Sequence, residues 1–127
     1  MSEARLEHVN LTVADPLATA RMLSDIFDWR IRWQGEAIHG GLTVHVGAES
    51  TYLALYTKGG QLDNGGDTYG QLLGLNHLGV VVDDLDDAER KVRAAGFTPH
   101  QFDDYEPGKR FYFNAFDGLE LEVVSYQ

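Results

Sequence analysis

Two histidines hold equivalent places in a repeated segment: LEHVNLTVAD over residues 6–15 and LNHLGVVVDD over 75–84, which puts His8 and His77 69 residues apart. Neutral imidazole is the commonest protein ligand for a transition metal. A carboxylate on an adjoining strand completes a set of two histidines and one carboxylate. Glu122 is the candidate, and Glu120 competes with it on the same strand face. Such a set leaves coordination positions open to water, oxygen or substrate, which marks a reactive centre and not a closed structural one. His45, with a side chain that titrates near neutral pH, is a candidate acid or base. His39 and His100 fall in loop or strand-edge contexts and read as surface residues.

These residues need elements that present them. Apolar residues alternate along six segments, which is the strand period. Val9, Leu11 and Val13 oppose His8, Asn10 and Thr12. Leu78, Val80 and Val82 oppose His77, Gly79 and Val81. Leu42, Val44 and Val46 oppose Thr43 and His45; Leu53 and Leu55 oppose Tyr52, Ala54 and Tyr56. Phe111 and Phe113 oppose Arg110, Tyr112 and Asn114; Leu119, Leu121 and Val123 oppose Glu120 and Glu122. One face is greasy and suits a covering helix. The other gathers histidine, tyrosine and asparagine, the mixture of a ligand-binding surface. Trp29, Ile31 and Trp33 read as one apolar strand face in the core, with Arg30 and Arg32 on a solvated edge.

Each repeated segment runs into a helix. Asp15 followed by Pro16 is an N-cap with proline in the first turn, and Leu17, Ala20, Leu23 and Phe27 make the apolar stripe. The acids at 83–87 cap and charge the start of a second helix, Arg90, Lys91 and Arg93 follow, and Gly96 stops it. Three strands follow each helix, over about 29–34, 41–47 and 51–57, then 97–102, 110–115 and 119–125. The pattern is βαβββ twice, an α+β fold: a first module over 1–57, a Gly-rich linker over 58–74 whose Asp63, Asn64 and Asp67 read as turn chemistry, and a second module over 75–127. If the modules pair about a pseudo-twofold axis, the two imidazoles approach each other.

Composition bounds the rest. With 127 residues, 43% hydrophobic and 24% charged, the chain is an ordinary globular protein of one domain's size. Twenty acids against ten Lys and Arg give a net charge of −10, which repels nucleic-acid backbones and anionic membrane surfaces. There is no cysteine and no long apolar run, so a cytoplasmic location is expected.

The sequence resembles the vicinal oxygen chelate superfamily, which includes glyoxalase I, extradiol dioxygenases and bleomycin-resistance proteins. The residues that carry the resemblance are HVNLTVADP from His8, HLGVVVDD from His77, and RFYFNAFDGLELE from Arg110 to Glu122. The resemblance implies paired βαβββ modules forming an open, barrel-like mixed sheet around a central cleft, with the helices outside. It implies a divalent metal (Fe, Mn, Zn or Ni) on His8, His77 and Glu122, four residues after Gly118. Ala54 stands where a fourth ligand would fall, which argues against glyoxalase I chemistry. Tyr112, ten residues before Glu122, matches a substrate-orienting tyrosine of the dioxygenases. No histidine precedes it at the family's spacing, and Phe116 replaces the usual proline.

Three functions are in view. The first is a metal-dependent enzyme, a lyase or isomerase or a ring-cleaving dioxygenase, acting on a small molecule with vicinal oxygens. Tyr112 and His45 would be catalytic, and Asn10, Tyr52, Tyr56 and Asn114 would bind substrate. The second is a metal-free binding protein of the bleomycin-resistance type, with Tyr52, Tyr56 and Tyr112 as aromatic walls. The third is a metal-independent subunit of a larger assembly. The family also implies a homodimer.

Overall fold

The computed structural model describes residues 3–37, 40–63, 66–105 and 108–127. The expectation for His39 and that for Asn64 fall outside these. The element order is β1 (His8–Thr12), α1 (Pro16–Phe27), β2 (Arg30–Glu36), β3 (Leu42–Gly47), β4 (Tyr52–Thr57), β5 (Leu78–Val81), α2 (Leu85–Ala94), β6 (His100–Tyr105), β7 (Gly108–Asn114) and β8 (Glu120–Ser125). The chain divides into two compact units, Met1–Leu62 and Asp63–Gln127. Each contains one four-stranded mixed sheet, in the orders β1-β4-β3-β2 and β5-β8-β7-β6. The fold is α+β, with the βαβββ order twice.

In each sheet the first strand pairs in parallel with the last, because the helix between them makes the crossover. The remaining pairs are antiparallel. Asp15 caps α1 through the Ala18 amide at 3.1 Å, and Pro16 opens the helix, where its missing N–H costs nothing. Asp84 caps α2 through the Asp87 amide at 3.0 Å. At the other end Gly96 (φ 96°) closes a Schellman motif: its amide donates to Arg93 O, and that of Phe97 donates to Val92 O.

The first core is Leu23 and Ile26 of α1 against Val44, Val46, Leu53 and Leu55 of the sheet. The second is Ala88 and Val92 of α2 with Phe111, Phe113, Leu121 and Val123. Both use the apolar faces that strand alternation separates.

Two expectations are corrected. Trp33 is not core: it is 50% exposed, because β2 shifts register between Ile31 and Trp33. The sixth strand is His100–Tyr105 and not 97–102. The Schellman turn consumes Phe97, Pro99 follows without an amide to donate, and the acids beyond 102 stand opposite basic residues in the ladder register. Asp103 pairs with Arg110 and Asp104 with Lys109.

Candidate functional site

In the first unit the mixed face carries a row of rings. His8 and Tyr52 are register partners on β1 and β4, with ring centroids 5.0 Å apart and nearly parallel planes. His45 of β3 stacks on Tyr52 at 4.6 Å, and Trp33 of β2 lies 5.1 Å from His45. The Arg32 guanidinium sits 4.5 Å over the Tyr52 ring. Glu7 accepts from the Tyr52 hydroxyl at 3.3 Å and lies 3.0 Å from His8 Nδ1. The bond to His8 holds the Glu7 carboxyl below its usual range. Burial pushes the Tyr52 hydroxyl up, and the Glu7 charge adds to that. Asn10 and Tyr56 share the face from β1 and β4, Asn10 exposed and Tyr56 half-buried. Ala54 stands between Asn10 and His45 in the ladder and offers no donor atom to a ligand.

Burial lowers the His45 pKa, and the positive sides of His8 and Arg32 add to that against the opposing charge of Glu7. The unfolded chain therefore takes up a proton that the folded chain resists. Stability rises with pH across that window and is lost as pH falls below the ordinary imidazole value of 6.5 toward the lower folded value. Thermal melts between about pH 5 and 7 are expected to slope less in His45→Gln than in the parent chain. Equal slopes would contradict this.

In the second unit the site centres on His77, immediately before β5. Its Nε2 lies 3.1 Å from Glu122 Oε1. Glu122 is 13% exposed, and its other oxygen accepts from Arg110 Nη1 at 2.8 Å, a side chain 12% exposed. On the opposite side of the ring, His77 Nδ1 lies 3.4 Å from the Tyr69 hydroxyl and 3.6 Å from Glu120 Oε2. The Tyr69 hydroxyl donates to Glu120 Oε2 at 2.7 Å, which pushes its pKa up to about 12. Tyr112 of β7 meets His77 edge-on at 5.6 Å and pairs in register with Glu122. Gly79, the β5 partner of Glu122, has open space where a Cβ would stand.

The Tyr69 hydroxyl proton goes to Glu120. With its proton on Nε2, the His77 ring can donate to Glu122 Oε1 at 3.1 Å. A metal ion between these two atoms would take the place of that proton. Two donors about 2.0–2.2 Å from one metal, at tetrahedral to right angles, stand roughly 3 Å apart, so the spacing suits a shared ion. Within each unit, among the described residues, no three His, Asp or Glu side chains by themselves form a cation site.

The sequence reading missed two residues here, Tyr69 and Arg110. Glu120, which competes with Glu122 on its strand face, is held by Tyr69, which donates to it. Tyr69 lies in a turn of 3-10 helix, Thr68–Gly70, in the segment read as linker, and Asp67 caps that turn. Arg110 fixes Glu122 from the neighbouring strand. Tyr69 had no periodic signal; Arg110 was legible only as a face-mate of Tyr112. His100 is half-buried, not simply surface: its Nε2 lies 2.9 Å from Asn114 Oδ1, and its ring stacks at 6.4 Å on Tyr112.

Residues 5–123 match the family model for the Glyoxalase/Bleomycin resistance protein/Dioxygenase superfamily. The chain belongs to that superfamily. Among solved structures, this member is similar to a glyoxylase/bleomycin resistance protein/dioxygenase domain from Frankia sp. EAN1pec, at 25% identity and a TM-score of 0.82 over 99% of this chain and 94% of that one. It is also similar to a glyoxalase family protein from Enterococcus faecalis, at 19% identity and a TM-score of 0.75 over 94% and 96% of the two chains. The fosfomycin resistance protein FosX from Listeria monocytogenes, complexed with Mn(II) and sulfate, shares the fold at 16% identity and a TM-score of 0.71 over 98% of this chain and 93% of that one. None of the curated proteins matches. No helix among the described residues is long and apolar enough to cross a membrane.

Proposed function

We propose that this superfamily member is a metal-dependent enzyme acting on a small molecule with neighbouring oxygen atoms, with His8, His77 and Glu122 as the ligands. The observation that carries the reading is the 3.1 Å approach of His77 Nε2 to Glu122 Oε1, with the far side of each group already held by other partners. His8 begins β1 where His77 leads into β5, which supports it as the third ligand. The Mn(II) complex of FosX supports a divalent ion in this fold. When bound, such an ion supplies Lewis acidity toward substrate oxygens.

The protein's own groups do the rest. Tyr112 orients substrate beside Glu122, and Asn114, steadied by His100, binds at the same strand. His45 serves as base, since its lowered pKa keeps it neutral and able to accept a proton near pH 7. Asn10, Tyr52 and Tyr56 bind substrate on the ring face of the first unit. We propose a homodimer as well; light scattering that shows a monomer at micromolar concentration would contradict it.

Stoichiometric metal in protein purified without chelator is the direct test. Tyr69→Phe and Glu120→Gln remove the groups that set the His77 ring, and each is expected to weaken metal affinity by roughly 10–100-fold in a chelator competition, with the melting temperature little changed. Unchanged affinity in both would mean that Tyr69 and Glu120 do not act on the metal. A second reading, a metal-free binding protein of the bleomycin-resistance type, draws on the Arg110–Glu122 pair, which already neutralises the carboxylate. Metal-free parent protein that binds an aromatic ligand tightly would favour it.

A further inference from the structure

Strict alternation would put Trp33 beside Ile31 on the helix face of β2. Instead Ile31 pairs with Val46 and Trp33 with His45, so Arg32 is the extra residue of a β-bulge. The consequence is that consecutive residues, Arg32 and Trp33, both come to the ring face. Arg32 lies over Tyr52 at 4.5 Å, and its Nη1 donates to Ala48 O at 3.3 Å. Trp33 is seated as well: a Cβ at Gly35 would stand 2.8 Å from the indole Cζ2, so the indole rests on bare backbone that only glycine provides. Yet half of Trp33 stays exposed.

A guanidinium anchored on a ring, beside a half-open indole, is a two-part recognition surface. The indole and the imidazole next to it offer stacking or edge contacts to a flat ring. The guanidinium fork matches a carboxylate, and Arg is less strongly hydrated than Lys, so it gives up water more readily. Glu7, whose carboxylate feels the Arg32 charge, is held by His8 and Tyr52. On a chain of net charge −10, such a local cation selects where an anion can settle. We propose that the Arg32–Trp33 bulge is the binding site for a planar aromatic carboxylate, its ring against Trp33 and His45 and its carboxylate on Arg32. This deepens the function proposed above by naming a substrate class, and it rests on that reading only for the site's purpose, since no metal enters the recognition.

The test uses the full chain after chelator treatment, so that failure here leaves the metal reading untouched and the reverse also holds. Three probes separate the parts: 1-naphthoate carries ring and charge, 1-naphthalenemethanol the ring alone, and cyclohexanecarboxylate the charge alone. By calorimetry, naphthoate is expected to bind about tenfold or more tighter than either of the others, as a charge-assisted hydrogen bond implies. Arg32→Gln is expected to erase the advantage of naphthoate over the alcohol, and Arg32→Lys to restore only part of it. Trp33→Ala is expected to weaken both naphthyl probes by about tenfold, and Trp33→Phe by less. Amide shifts on naphthoate addition are expected at β2 and β3. Equal affinity of the three probes, an Arg32→Gln protein that binds naphthoate like its parent, or shifts confined to the second unit would each overturn the proposal.

Discussion

Glu122→Gln protein is expected to lose stoichiometric divalent metal while keeping its fold. The amide matches the carboxylate in size, and its carbonyl can still accept from Arg110, which now donates to Glu122 at 2.8 Å. What the substitution removes is the negative charge on the oxygen that faces His77 Nε2. The loss in metal affinity should exceed the roughly 10–100-fold of an outer-shell change, because the residue proposed as a ligand is itself altered. Alanine is the poorer choice. Both changes remove the charge opposite Arg110, 12% exposed, but alanine also removes its acceptor, and leaving a buried donor unsatisfied adds about 1–3 kcal/mol. Metal analysis after dialysis, with a chelator competition and a thermal melt on the same sample, gives the answer. Parent-like metal content in Glu122→Gln would remove Glu122 from the ligand set.

Phe113→Ala is expected to destabilise the second unit by about 3–5 kcal/mol, seen as a fall in the urea midpoint at unchanged slope. Phe113 is fully buried, lies 5.9 Å from Phe97 ring to ring, and pairs in register with Leu121. Leu121 stands between Glu120 and Glu122, so the same packing that holds the core sets the two carboxylates on their face of β8. Phe113→Leu, closer in volume, is expected to cost under about 1.5 kcal/mol. An alanine variant with the parent's midpoint would mean that β7 is not the centre of that core.

Much of this was legible in the chain itself. Phe111 and Phe113 alternate with Arg110, Tyr112 and Asn114, and the structure puts the two sets on opposite faces as that period requires. The Asp15–Pro16 and Asp84 caps are local signals, complete within a few residues, and both are used. The side chains that surround His77 were less legible. His77 and Glu122 were visible from the repeat and from the last strand, but Tyr69 reaches Glu120 across 51 residues, from a turn with no alternation and no helical stripe. Glu120 was legible as a rival of Glu122 on the same strand face, but its bond to Tyr69 was not.

The sequence by itself determined the order of elements, the two helix starts, the apolar face of most strands and the pairing of one histidine with each repeat. These follow from backbone period and capping chemistry, which act over one or two turns or a strand's length. Tertiary structure alone decided that β2 slips by one residue at Arg32, that Trp33 therefore leaves the core face, and that Tyr69 and Arg110 close around His77 and Glu122. The physical reason is that a bulge and a side-chain relay depend on what the neighbouring strand offers. That choice is made only when strands distant in sequence are brought into register.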